Sequence, residues 1–148
     1  MRPPNRPSTI DLTLYPRNGI FGHGSDLGYG REASRLDRIV QKDFLEFPEP
    51  VKGEMGNALG IAQFGGKHPA AKPWKGQGSG VFEVVENHDR NTYRAVYTVR
   101  FREVVYVLHA FQKKSPKGIK TAQSDIDLVE KRLKIARQDH EARHGKPK

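Results

Sequence analysis

The stretch VFEVVENHDRNTYRAVYTVRFREVVYVLHAF, residues 81–111, decides how this chain folds. Within it Thr92–Phe101 alternates, with Tyr93, Ala95, Tyr97, Val99 and Phe101 on one parity and Arg94, Val96, Thr98 and Arg100 on the other. A period of two marks a β-strand that turns one face to a core. Val81–Glu86 is rich in β-branched residues and predicts a preceding strand, joined by a turn at Asn87–Asn91. Arg102-Glu103 turns the chain into Val104–Phe111, an almost wholly apolar run suited to a central strand. Connections this tight make the three strands an antiparallel meander.

Upstream, Leu36, Ile39 and Val40 predict a short first strand. Pro48 and Pro50 mark the first turn of a helix, where proline is tolerated. Val51, Met55, Ala58, Leu59 and Ala62 keep helical spacing, and Gly65-Gly66 stops the helix. Residues 67–79 read as a basic, irregular loop. Downstream, Lys113, Lys114, Lys117 and Lys120 surround Pro116 and Gly118 in a second basic loop. A last helix begins near Ser124, with Asp127 in a capping-box-like position, and Ile126, Val129, Leu133 and Ala136 form its apolar stripe.

The elements describe a small α+β domain over residues 35–140: a short first strand, a helix, a three-stranded meander and a final helix. Both helices are expected on one face of the antiparallel sheet, leaving the other face to lysines and arginines. Residues 1–34, with Pro3, Pro4, Pro7, Pro16 and scattered glycines, read as a poorly ordered extension, and residues 141–148 as a charged tail. The glycine run Gly22–Gly28 fails as a nucleotide-binding loop, because its third glycine falls one place late and no buried strand precedes it.

The net charge of +9 is unevenly placed. Residues 1–66 carry eight Lys/Arg and eight Asp/Glu, whereas residues 67–148 carry 18 against nine. The excess sits on the sheet-bearing part and would attract a polyanion, with a phosphate backbone the commonest such partner. No apolar run approaches a membrane span, no secretory signal is evident, and the chain has no cysteine, which together fit the cytoplasm.

A resemblance to a ribonuclease family, carried by motifs at Lys72–Gly76, Gly80–Val84, Thr92–Tyr97 and Leu108–Lys114, implies RNA chemistry without a metal or cofactor, and several residues suit it. Cleavage needs a base for the ribose 2′-OH, an acid for the leaving oxygen and a cation for the crowded phosphate. Arg94, mid-strand and of parity opposite to the tyrosines, is the leading phosphate-binding candidate. Lys113 and Lys114 end the neighbouring strand as further clamps, and His109 is a candidate proton carrier. Lys72, Lys75, His88, Arg90 and Lys117 are the expected RNA contacts, while Tyr93 and Tyr97 read as core. His140-Glu141-Ala142-Arg143-His144 matches the H-E-x-x-H zinc pattern, but Gly145 follows at once and little chain remains to supply a third ligand.

Read in order, Lys72-Pro73-Trp74-Lys75-Gly76, Gly80–Val84, Thr92–Tyr97 and Leu108–Lys114 resemble the core motifs of the RelE/HigB toxins, particularly their phage-derived branch. The resemblance covers about residues 35–140. It implies a microbial ribonuclease fold, and a toxin that cuts mRNA on the ribosome without metal. It also implies a cognate antitoxin, HigA-like with a helix-turn-helix. Relatives that cut mRNA can carry a functional tyrosine or histidine near the C-terminus. After Phe111 this chain has no tyrosine, and its histidines there are His140 and His144. That departure supports a second reading, a basic module that binds RNA or antitoxin without cutting. A ParE-like action on DNA gyrase fits less well, given Lys113-Lys114 and the Lys72–Gly76 loop.

Overall fold

A computed structural model describes residues 31–101, 104–113 and 122–145. Helices α1 (Arg31–Leu45) and α2 (Glu49–Gln63) precede strands β1 (Ala71–Pro73), β2 (Val81–His88), β3 (Asn91–Thr98) and β4 (Tyr106–Lys113), and helix α3 (Gln123–His144) follows. The strands form one antiparallel sheet in the order β1-β2-β3-β4, so the expected α+β meander is present. No helix among the described residues is long and apolar enough to cross a membrane.

The residues expected to form a first strand lie in α1 instead. Leu36, Val40 and Phe44 are buried at intervals of four while Ile39 is exposed, which is the pattern of a helix face. The strand completing the sheet is β1, within the stretch read as a loop. It has three residues, ends at Pro73 and lies on the sheet border, where proline is tolerated. Pro48 and Pro50 open α2 as expected, its five-residue stripe is buried, and Gly65 follows at φ +91°. Helix α3 starts one residue before Ser124 without a side-chain cap, so the capping box does not form, and Gln123 bonds Asp127 instead. The helix continues through residues 141–144, where the sequence reads as a charged tail.

Helices cover both sheet faces, not one. Helices α1 and α2 pack through Val40, Phe44, Phe47, Val51 and Met55 onto Val84, Tyr93, Ala95, Tyr97, Val107 and Ala110. Helix α3 packs through Val129, Leu133 and Ala136 onto Val81, Val96 and Leu108 of the opposite face, with Trp74. This explains the apolar run of β4. The strand lies at the border of the sheet rather than its centre, yet it is buried from both sides.

One irregularity directs the side chains of β4. Val96 pairs with His109 but Tyr97 pairs with Val107, so Leu108 is an extra residue in a β-bulge. Val107 and Ala110 therefore both face α1 and α2, while His109 and Phe111 fall on the face of α3. The carbonyl of Leu108 accepts a hydrogen bond from Arg132 Nη1 of α3 at 3.0 Å. The tight hairpin between β2 and β3 turns on Asp89 and Arg90, at φ 53° and 71°.

Candidate functional site

The face of the sheet that carries α3 also carries four of the residues singled out by sequence. Register places Lys72, Glu83, Val96 and His109 in one row across the strands, and Val85, Arg94 and Phe111 in the next. Lys113 stands one row further, opposite Thr92. Arg94, His109, Lys113 and Lys72 thus share a face. Arg94 points away from α1 and α2 as its parity predicts, but not away from all helices.

Arg94 does not stand free. Its Nη1 donates to Glu83 Oε1 at 2.6 Å, and the two side chains are 12% and 10% exposed. Such a charge-assisted bond fixes the guanidinium in one orientation. Its Nε is buried and has no partner among the described residues.

His109 is buried in the adjacent strand. Its Nε2 lies 2.9 Å from Asp125 Oδ1, in the first turn of α3, and its ring stacks on Phe111 at 4.3 Å between centroids. Its Nδ1 has no partner among the described residues. Burial pushes the imidazole pKa below its ordinary value. The bond to Asp125 opposes that shift, the Arg132 charge adds to it, and Asp43 of α1 opposes it. Trp74 Nε1, in the core on the same side of the sheet, is likewise buried without a partner among the described residues; each such atom costs about 1–3 kcal/mol.

Lys113 closes the cluster. Partial desolvation and the Arg94 charge lower its pKa, against the raising effects of Glu83 and Asp125. A lowered ammonium pKa makes a better proton donor.

The remaining predicted contacts are spread out. Lys72 is exposed beside Glu83, and Lys75 is exposed in the loop after β1. His88 belongs by register to the α1 and α2 face, and Arg90 sits exposed at the hairpin tip, so neither joins Arg94. Lys114 and Lys117 lie outside the described residues. Tyr93 and Tyr97 are core residues, packed against Phe47 and Phe82 respectively. In the zinc-like pentapeptide, His140 stacks on Phe101. Among the described residues no group of three or more His, Asp or Glu is placed to hold a metal ion.

Sequence reading missed Glu83, Phe111, Asp125 and Arg132. Glu83 was within reach, because a two-residue turn at Asp89-Arg90 sets Val85 opposite Arg94 and Glu83 diagonal to it. Phe111 and Asp125 were not, because the bulge decides what stands beside His109.

Two helices on one side of a four-stranded meander and one on the other, with a cationic cluster beside the last helix, define the class: a small α+β protein with a polar sheet-face site. The family model described as Phage derived protein Gp49-like (DUF891) matches residues 42–134, and the chain belongs to that family. The family is associated with RelE/HigB-like toxins. No curated protein and no solved structure matches the chain.

Proposed function

We propose that this protein is the toxin of a type II toxin–antitoxin pair and cuts mRNA on the ribosome without a metal ion, as a HigB-like member of its family. The observation that carries this reading is the grouping of Arg94, His109 and Lys113 on one sheet face, beside Glu83. In this scheme the ribose 2′-oxygen attacks the adjacent phosphorus as the bond from phosphorus to the 5′-oxygen breaks. His109 takes the 2′-OH proton once RNA binding uncovers its ring, which is buried in the free protein, Lys113 gives one to the departing 5′-oxygen, and Arg94, held by Glu83, stabilises the phosphorane. The products are a 2′,3′-cyclic phosphate and a 5′-hydroxyl. Lys72 and Lys75 would hold flanking phosphates. An antitoxin, by this reading a helix-turn-helix protein, would keep the enzyme silent in the cytoplasm.

The test is primer extension on a reporter mRNA in a bacterial cell-free translation system. Wild-type protein should give cuts that require translating ribosomes, and Arg94→Ala should lower them by about 10²-fold or more. Undiminished cutting by folded Arg94→Ala removes Arg94 from the mechanism.

A second reading has its own observation. Arg94 and Glu83 are bonded to each other and nearly buried, as in a structural ion pair. On that reading the face binds RNA or antitoxin without cutting, and folded wild-type protein gives binding but no cuts in any lane.

A further inference from the structure

Helix α3 covers its face of the sheet unevenly. Glu83, Val96 and His109 form one row across the strands, and all three are buried. The next row, Val85, Arg94 and Phe111, is partly exposed. In the row beyond it Asn87 is exposed and Thr92 and Lys113 are partly so. Among the described residues, the part of this face that α3 leaves uncovered thus holds one aromatic ring, Phe111. Its direct cross-strand partner is Arg94, and Lys113 stands two places along its own strand.

The ring is only half committed to the core. Phe111 packs against the α3 cluster and is stacked on His109, with 4.3 Å between centroids and 19° between planes, yet it stays partly exposed. An aromatic ring left partly in water forgoes hydrophobic stabilisation, and this one does so beside two cations.

We infer that Phe111 is the base-stacking residue of this face: an unpaired nucleobase lies on its ring while Arg94 and Lys113 hold adjoining phosphates. Residues directly opposite on neighbouring strands have Cβ atoms about 5 Å apart. At that spacing one nucleotide reaches the guanidinium with its phosphate and the ring with its base. His109, bonded to Asp125 at 2.9 Å, backs the ring and fixes it before RNA arrives. Stacking of this kind selects single-stranded RNA, because bases in a duplex already stack on each other, and it tolerates sequence because every base has a π-face. The inference rests on the RNA-binding part of the reading above and does not depend on which group takes the 2′-OH proton.

The test measures binding of the full chain to a short single-stranded 2′-O-methyl RNA, which has no free 2′-OH to attack, and to the same backbone without bases. Both are read by competition against a fluorescein-labelled copy of the intact RNA. Wild type should bind the intact chain about fivefold or more tightly than the abasic one. Phe111→Leu keeps an apolar side chain and removes the ring. It should lose that preference while its affinity for the abasic chain stays within about twofold of wild type, the non-additivity of two groups in contact. Phe111→Tyr should restore the preference. 2-Aminopurine placed at each position in turn should be quenched at particular positions by wild type and Phe111→Tyr, but not by Phe111→Leu.

Equal losses on both chains by folded Phe111→Leu mark a structural role for the ring and overturn the inference, as does an undiminished preference. Stacking without cuts in the translating system leaves the inference standing and removes the ribonuclease reading. Folded wild type that binds neither chain overturns the RNA reading and the inference together.

Discussion

Tyr97 shows how far a single residue could be read in advance. Its parity placed it in the core, and its side chain is among the largest of those fully buried. Burial raises its phenol pKa from 10.0 to about 12. The unfolded phenol ionises first, so the stability Tyr97 contributes is fully present below pH 10 and is lost as pH rises through 12. Urea midpoints measured from pH 9 to 12 should therefore fall more steeply for wild type than for Tyr97→Phe. His109 was legible only as a residue type. Strict alternation from Val105 and Val107 would send it to the α1 and α2 face, and the extra Leu108 reverses that. No spacing rule announces such an insertion, because its cost is met by a distant guanidinium, Arg132, bonding the Leu108 carbonyl.

At the scale of elements, segments whose apolar period was unbroken were legible and the others were not. The stripe of α2 stood out because five buried residues repeat along it. Helix α1 was read as a short strand because Ile39, an exposed apolar residue, filled the gap between Leu36 and Val40. Strand β1 carries too few residues to alternate, and its pairing with β2 was set by the loop that follows. In that loop Arg100 donates to the carbonyls of Gln77 and Ser79, and Gly80 sits beneath it at φ +85°. A Cβ on Gly80 would lie 2.7 Å from Arg100 Cγ. Gly80→Ala should lower unfolding free energy by about 1–3 kcal/mol, part of which Arg100→Ala should restore, as urea titration of the three variants would show.

For the whole molecule, charge distribution pointed to the part of the chain that carries the cationic cluster but not to the face on which it lies. Both faces of the sheet are packed, so the cationic cluster occupies what α3 leaves beside its first turn rather than an open sheet surface. If single-stranded RNA binds there, phosphate contacts should set the salt dependence of its affinity. Lys72→Ala should reduce the slope of log affinity against log salt by about 0.7, measured by fluorescence polarisation with a non-cleavable oligonucleotide. Arg38→Ala, at an exposed position of α1, should leave that slope unchanged.

The strand order has a temporal consequence. Each strand pairs only with its neighbour in sequence, so the sheet can assemble by short, fast loop closures. Helix α1 is different, because it is made first and rests against β4, the last strand. On a translating ribosome its apolar stripe must wait for the whole meander to emerge. The interval between synthesis of α1 and its docking is thus a fixed property of the topology, and it lasts until β4 has been made.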